Sequence, residues 1–264
     1  MNGGPSSGEP IVLTRDEGPI RVITLNRPAV RNAFDIPLRV ELIGAVDAAM
    51  ADGGVRVLVL TGAGGAFCAG GDISTMNQMT GDEAVSRADL TQQVVRTLWA
   101  GSKPVLAAVE GPAFGAGLSL ALACDRIVAA ADARFGAAFS RIGLAGDMGV
   151  MATLPERLGP ARAKQFLMLA EQAGAPDALS MGLIDVVTEP GNAVAAALED
   201  ARKLAAGPPL ALAAIKATIG RYPAGRAETL TREAEALVAS YGSADFAEGV
   251  AAFRERRPPR FEGR

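Results

Sequence analysis

Two glycine-rich segments that follow apolar runs are the first candidates for ligand binding. GAGGAFCAGGD at Gly62–Asp72 follows the run Val55–Leu60, and GPAFGAG at Gly111–Gly117 follows Val105–Val109. Glycine lets a backbone approach a ligand closely. Two such loops could direct two backbone N–H groups at one point, which is how an oxyanion hole is built. Neither loop matches the dinucleotide or Walker fingerprint. The first, taken alone, is equally compatible with a plain tight turn.

Acidic side chains are the remaining candidates for chemistry, because the chain contains no histidine. This absence excludes Ser-His-Asp and Cys-His catalysis and metal sites built on histidine. Asp147 precedes the apolar run Val150–Leu154. On this evidence alone it is best interpreted as the N-cap of a helix. We interpret Glu110 and Asp125 as structural acids and Cys68 as a small apolar residue.

The composition limits the class of protein. The chain has 264 residues, of which 49% are hydrophobic, so it can bury a sizeable core. Its net charge of −3 argues against nucleic acid or an anionic membrane surface as the main partner. Two cysteines are too few for a disulfide framework and indicate a cytoplasmic protein. Residues 1–10, rich in Gly, Ser and Pro, are expected to form a disordered tail and not a signal peptide.

The elements that must position these residues alternate between strand and helix over about the first 150 residues, which predicts an α/β core. Strands are predicted at Ile11–Thr14, Ile20–Leu25, Val55–Leu60, Val105–Val109, Arg126–Ala130 and Asp185–Val187. Helices are predicted at Pro37–Met50, Asp82–Ala100, Leu118–Cys124, Ala161–Ala170, Ala193–Ala206, Pro209–Gly220, Arg226–Ser240 and Asp245–Arg254. The last third is therefore expected to be helical, as an extension of the core.

The chain resembles the crotonase, or enoyl-CoA hydratase/isomerase, superfamily from about Ile11 to Phe261. Five stretches in order carry the resemblance: NRPAVRNAF at Asn26–Phe34, GAGGAFCAGGD at Gly62–Asp72, KPVLAAVEGPAFGAGLSLALACD at Lys103–Asp125, IGL at Ile142–Leu144 and EGVAAFRERRPPRF at Glu248–Phe261. The combination is specific, although each stretch alone is not.

The resemblance implies a fold and an assembly. The fold is an α/β, crotonase (ClpP-like) spiral of ββα turns over residues 11–195, which would hold an acyl-CoA site. Residues 196–264 would form a C-terminal helical region through which family members associate as homotrimers, or as homohexamers built from two trimers.

The resemblance also implies a site in which two backbone N–H groups hold the oxygen of an acyl-CoA thioester as an enolate forms. These groups map to Gly71 and Ala116, where the family usually has glycine at the second position. The coenzyme A arm would run past a larger set of residues, namely Arg31, Ala33, Ala69, Gly70, Asp72, Ile73, Phe114 and Gly115. We also expect Asp72 to cap the short helix that follows it.

The acid and base residues decide the reaction within this family. Hydratases of the family use two glutamates, and the matching positions here are Ser119 and Phe139. Neither side chain can exchange protons with water as a carboxylate does. Several members that lack these glutamates use an aspartate at the position of Asp147.

The resemblance therefore predicts an enoyl-CoA isomerase with Asp147 as the catalytic base and no metal or redox cofactor. One alternative is an enoyl-CoA hydratase that uses Asp147 alone with an ordered water. Another is a catalytically weak homologue that only binds acyl-CoA.

Overall fold

The computed structural model describes residues 10–76, 81–221 and 225–264. The predicted disordered tail, apart from Pro10, lies outside the described residues. The strands described are β1 Val12–Glu17, β2 Ile20–Leu25, β3 Val57–Gly62, β4 Val105–Val109, β5 Pro112–Phe114, β6 Arg126–Ala130, β7 Arg134–Gly136, β8 Gln172–Gly174 and β9 Val186–Thr188. The α-helices are α1 Ile36–Ala51, α2 Gly81–Ala100, α3 Ala116–Leu122, α4 Val150–Leu158, α5 Pro160–Met168, α6 Ala175–Ser180, α7 Ala193–Ala205, α8 Pro209–Ile219, α9 Arg226–Tyr241 and α10 Ala244–Glu255.

A six-stranded sheet in the order β1-β2-β3-β4-β6-β9 forms the centre of the molecule. Strand β1 pairs antiparallel with β2, and the other neighbours pair in parallel. The continuous apolar runs of β3 and β4 are buried because both faces of the sheet are covered. One face packs against α7, and the other packs against α1, α2 and α3. The predicted buried strand at Val55–Leu60 is thus confirmed, although it begins at Val57.

A second sheet consists of three short strands in the order β5-β7-β8, none of which was predicted from the sequence pattern. Each strand has only three residues, which is too short for an alternating pattern to be visible. Helix α4 was also not predicted, since only its apolar beginning was recognised. The first strand is longer than the predicted Ile11–Thr14, because β1 continues to Glu17 and only Gly18 and Pro19 connect it to β2.

The expected boundary after residue 195 needs correction, because it falls inside α7. The buried alanines Ala197, Ala201 and Ala205 of this helix pack on the central sheet. The core therefore extends at least to Ala205. The helices α8 and α9 beyond it contain no buried residue. Within the described ranges, no helix is both long and apolar enough to span a bilayer.

Side-chain hydrogen bonds of Asn32 connect the NRPAVRN segment to the first glycine-rich loop. It is fully buried, with a left-handed φ of 56°. Its Oδ1 accepts the Arg27 N–H at 2.8 Å, and its Nδ2 donates to the carbonyls of Ala63 at 3.0 Å and Ala66 at 2.6 Å. A Cβ on Gly62 would lie 2.6 Å from this Nδ2, so the approach of the two segments requires glycine there.

Substitution of Asn32 by alanine should lower the free energy of unfolding by about 2–4 kcal/mol. Three backbone groups, one of them in a fully buried hydrogen bond, would lose their partners, and alanine is disfavoured at a left-handed φ. Denaturant unfolding of Asn32→Ala would measure this. Asn26→Ala is the matched control, because Asn26 makes one hydrogen bond to Pro10, which is exposed. If Asn32→Ala lowers the free energy of unfolding no more than Asn26→Ala does, the structural role given to Asn32 is contradicted.

Candidate active site

The two glycine-rich loops are paired through their backbones. The Phe67 N–H donates to the Glu110 carbonyl at 2.7 Å, and the Cys68 N–H donates to the Pro112 carbonyl at 2.9 Å. In return, the Phe114 N–H donates to the Cys68 carbonyl at 3.0 Å. Because β3 and β4 are parallel neighbours, the loops that leave their carboxyl ends emerge at the same edge of the sheet. The structure thus brings together the two segments singled out from the sequence.

Glycine is required where these loops touch. A Cβ on Gly117 would overlap the Cys68 carbonyl and lie 2.8 Å from the Cys68 Cβ. A Cβ on Gly70 would lie 2.9 Å from the Phe114 carbonyl oxygen, and Gly70 also has a φ of 111°. Cys68 itself is fully buried, and burial raises the pKa of its thiol to about 12, which fits an inert apolar residue.

The N–H groups of Gly71 and Ala116 donate to no backbone carbonyl in the described part of the chain. Both neighbours of Gly71 are hydrogen-bonded to the backbone of Phe34. The Gly70 carbonyl accepts the Phe34 N–H at 2.7 Å, and the Asp72 N–H donates to the Phe34 carbonyl at 2.9 Å. Ala116 is the first residue of α3, so its N–H has no acceptor within the helix. The preceding Gly115 takes the unusual φ of 50°, and Ala116 is not among the residues with a positive φ. The Cβ of Ala116 is therefore compatible with a free N–H.

Asp147 does not cap the helix that follows it. The N-cap of α4 is Gly149, with a φ of 77°, and no side chain accepts a hydrogen bond at this cap. The Asp147 Oδ1 is shielded from solvent, yet it accepts no hydrogen bond from any residue the structure describes. The interpretation of Asp147 as a helix cap is therefore wrong. Its carboxylate is available for another role.

The surroundings of Asp147 make it a stronger base than a free aspartate. Burial raises the pKa of its carboxyl group, and the positive charge of Arg39 opposes the rise. A raised pKa in a cavity is common among groups that exchange protons in catalysis.

Asp147 lines a cavity of about 750 Å³ between α2 and the segment that leads into α4. Most of the described lining is apolar or small, and it includes Val95, Trp99 and Val150. Asp147 is the one acid among the described residues that line the cavity. Met76 also lines it, and a Cβ on Gly71 would clash with the Met76 methyl group. Met76 therefore connects the cavity to the first glycine-rich loop.

The two positions matched to the family glutamates adjoin the second loop. Ser119 is fully buried in α3, and its hydroxyl donates back to the Gly115 carbonyl at 3.3 Å. The buried Phe139 ring would lie 3.7 Å from a Cβ on Gly115. Neither position provides a group that could exchange a proton with water.

The residues predicted to contact coenzyme A lie outside the described lining of this cavity, on or beside the two glycine-rich loops. The carbonyl of Arg31 accepts the Ala69 N–H at 2.9 Å, and the carbonyl of Ala33 accepts from Arg27 at 2.6 Å. Arg31 is exposed, and Ile73 is 65% exposed. The backbones of Arg31 and Ala33 thus support the first loop, while the side chains of Arg31 and Ile73 are exposed to solvent.

Asp72 has a structural function. Its carboxylate accepts hydrogen bonds from the Ser74 N–H at 3.2 Å and the Ser74 hydroxyl at 2.6 Å, and it forms an ion pair with Arg27 at 3.3 Å. These contacts hold the pKa of Asp72 below its usual value. It caps the short 3₁₀ helix Ile73–Thr75, as expected. Contact of its side chain with coenzyme A remains a prediction.

Glu110 and Asp125 are structural, as interpreted from the sequence. The Glu110 carboxylate accepts the N–H groups of Gly191 and Ala193, where α7 begins, at 3.0 and 2.9 Å. The Asp125 carboxylate pairs with the Lys216 ammonium at 2.8 Å. These acids hold the helices against the core and have no part in the cavity.

Three arginines in the described lining of the cavity were missed by the sequence analysis, namely Arg39 of α1 and Arg87 and Arg96 of α2. A signal existed for the first. Arg39 falls on the stripe that also contains Leu42, Ile43 and Val46, all of which are buried. A cation in an apolar stripe indicates a special environment.

Comparison with known proteins identifies the family. The family model described as enoyl-CoA hydratase/isomerase matches residues 15–264. A "Probable enoyl-CoA hydratase" of Rhodobacter capsulatus is 41% identical over 261 residues, covering 93% of this chain and 95% of the relative. The 1,2-epoxyphenylacetyl-CoA isomerase of Escherichia coli is 36% identical over 260 residues, covering 96% of this chain and 98% of the relative.

The fold agrees with this match. A crystal structure of an enoyl-CoA hydratase from Bacillus anthracis superposes with a TM-score of 0.92 at 28% identity, covering 97% of this chain and 100% of the other. The expected crotonase fold is thus confirmed. Since the match extends over nearly the whole chain, the protein belongs to the enoyl-CoA hydratase/isomerase family, whose members act on acyl-CoA thioesters.

Proposed function

We propose that the protein is an enoyl-CoA isomerase that moves a carbon–carbon double bond by proton transfer through Asp147. The observation that carries the proposal is the Asp147 carboxylate, which caps no helix and faces the cavity as the one acid in its described lining. An isomerase needs one group that removes a proton from one carbon and returns it to another. A single carboxylate can perform both steps.

The N–H groups of Gly71 and Ala116 would stabilise the charge that forms on the substrate. When a proton leaves the acyl chain, its electron pair delocalises onto the thioester oxygen and gives a dienolate. Each N–H group directed at that oxygen can contribute about 3 kcal/mol to the transition state. Both groups lack another acceptor among the described residues, so no hydrogen bond must break before the substrate binds.

Asp147 would then complete the reaction without net consumption of protons. Its carboxylate takes the proton from one carbon of the chain, and the resulting carboxylic acid returns it to another as the dienolate collapses. Burial favours this exchange, because it raises the pKa of Asp147 toward that of a useful base. These steps require no metal ion and no redox cofactor.

The residues at the family's glutamate positions favour isomerisation over hydration. Hydration needs groups that position and deprotonate water, and Ser119 and Phe139 offer none. The hydroxyl of Ser119 is engaged with Gly115. Among the described residues that line the cavity, Asp147 is the one acid, so no second carboxylate is available there to hold an attacking water.

Hydration by Asp147 with one ordered water is the second candidate. The name of the Rhodobacter capsulatus relative, "Probable enoyl-CoA hydratase", favours this candidate. The two reactions differ in mass, since hydration adds one water to the product and isomerisation adds nothing. Mass spectrometry of the product formed from a 2-enoyl-CoA and from a 3-enoyl-CoA separates them.

Substitution of Asp147 by asparagine should lower turnover by about two to four orders of magnitude, the usual contribution of a general base. The affinity for acyl-CoA should change little, because asparagine keeps the shape of the side chain. Exchange of the substrate α-proton with deuterated solvent should stop as well. Steady-state kinetics and proton NMR would measure the two effects.

Asp47→Asn is the matched control, because Asp47 lies exposed on α1 and the substitution removes the same charge. The free energy of unfolding of Asp147→Asn should be unchanged or higher at neutral pH, since a buried carboxylate without a partner destabilises the fold. Turnover within tenfold of the wild type would remove Asp147 from the mechanism. That result would also contradict the hydratase alternative, which uses the same carboxylate.

The activity should fall as the pH is lowered through the pKa of Asp147. Only the deprotonated carboxylate can accept a proton, and burial raises its pKa above the ordinary value of 3.8. We therefore expect the acidic limb of kcat/KM to have a midpoint above this value, measured from about pH 4 to pH 8. A profile that stays flat down to the ordinary value of an aspartate would contradict the assignment of Asp147 as the base.

The exposed apolar residues of the C-terminal helices are proposed to form the contacts of a homotrimer or a homohexamer. Ile219, Val238 and Phe253 are 67%, 72% and 87% exposed. Large apolar side chains exposed together are typical of surfaces that another subunit covers.

Sedimentation velocity at micromolar concentration should therefore show a trimer or a hexamer. Val238→Lys should lower the sedimenting mass, because it would place a charge within the contact. Leu13→Lys, on the edge strand β1, should leave the mass unchanged. A wild-type protein that sediments as a monomer would refute the assembly.

A further inference from the structure

Arg39 is a buried cation that the reaction through Asp147 does not use. It lies on α1 with 2% of its surface exposed, and its side chain lines the cavity. Its Nε and Nη1 are shielded from solvent and donate to no residue in the described ranges. The guanidinium lies 5.8 Å from the centre of the Phe34 ring, which supplies a weak cation–π contact and accepts no proton.

A buried guanidinium without hydrogen-bond partners lowers the stability of the folded protein. Buried charges in proteins are normally paired, because the interior cannot replace the hydrogen bonds that water provides. Burial lowers the pKa of Arg39, while the charge of Asp147 opposes this effect. Neither the shielded nitrogens of Arg39 nor the Asp147 Oδ1 has a hydrogen-bond partner among the described residues, so these atoms are not paired with one another.

Arg87 of α2 contributes a second guanidinium to the same cavity. Its Nη2 is also shielded, and it too lacks a partner within the described part of the chain. Arg96, on the same helix, also lines the cavity. It is exposed, however, and its guanidinium donates to the Gln92 side chain at 2.6 Å. The described lining thus holds three arginines against the single acid Asp147.

We propose that Arg39 and Arg87 bind a carboxylate at the far end of the acyl chain, so that the substrates are CoA thioesters of dicarboxylic acids. The inference rests on the proposed function, since it concerns the substrate class of the same site. A carboxylate has two acceptor oxygens with the geometry that guanidinium groups match. It would give Arg39 and Arg87 the ion-pair partner that they lack among the described residues, and it would balance the positive charge of the lining.

Two further observations favour the acyl chain as the source of this carboxylate. The cavity of about 750 Å³ has the volume of a small-molecule site. It contains Asp147, the group proposed to act on the acyl carbons, and its described lining includes none of the residues predicted to contact coenzyme A. With coenzyme A bound at the predicted residues, its phosphates would lie outside this cavity and leave these arginines without an anion.

Binding of matched saturated ligands by the full chain tests the proposal. Adipyl-CoA and hexanoyl-CoA have the same chain length, and only the first ends in a carboxylate. Isothermal titration should show that adipyl-CoA binds the wild type about 10- to 100-fold more tightly, as expected for hydrogen bonds between charged groups. Arg39→Met and Arg87→Met should each lose most of this preference.

Arg96→Met is the matched control, because Arg96 lies on the same helix as Arg87 and already has a partner. It should keep the preference for adipyl-CoA. The unfolding midpoint of Arg39→Met should be equal to or above that of the wild type, because methionine removes a buried charge without a partner. Arg87 is only partly buried, so Arg87→Met keeps the test valid if Arg39→Met does not fold.

The outcomes separate this inference from the proposed function. Equal affinity of the wild type for the two ligands, or a preference retained in both Arg39→Met and Arg87→Met, overturns the carboxylate site. Loss of turnover in Arg39→Met with unchanged ligand preference also overturns it, and assigns Arg39 to the positioning of Asp147. Turnover of 3-hexenoyl-CoA that depends on Asp147 tests the isomerase separately, because this substrate has no second carboxylate.

Discussion

The backbone pairing of the two glycine-rich loops is the constraint on which the rest of the site depends. It places Cys68 against Phe114 and Gly117 at distances that leave no room for a Cβ on Gly117. The pairing exists because β3 and β4 are adjacent parallel strands whose carboxyl ends lie side by side. From this arrangement the free N–H groups of Gly71 and Ala116 follow, since each lies only a few residues beyond the paired segment.

The strands and helices that carry these loops could be predicted from the sequence, because long apolar runs and glycine-rich breaks are local signals. The bounds of β2, β4 and β6 agree with the prediction. The short strands β5, β7 and β8 could not be predicted, because three residues carry no periodicity and their pairing is decided by tertiary contacts.

The site itself was only partly visible from the sequence. Asp147 and Gly149 are both acceptable at the start of α4, and local preference favours the aspartate. In the structure the cap is Gly149, which has a left-handed φ and lies so close to Trp99 that a Cβ would clash with the ring. Asp147, two residues before this cap, lines the cavity. The unusual position of Arg39 within an apolar stripe could be recognised. Its lack of a described partner could not, since that depends on how α2 packs over α1.

Asp147 and Arg39 show how the site differs from an ordinary core. Each presents a shielded polar atom without a described partner, and each such group lowers the stability of the empty protein. Mutual pairing would remove the cost, but it would also occupy the proposed base and the cation proposed to bind the substrate. A ligand that satisfies these groups binds the folded state alone, and it must therefore raise the free energy of unfolding in proportion to its affinity. In the proposed function, the same unsatisfied groups therefore weaken the empty fold and contribute to the affinity of the cavity for the substrate.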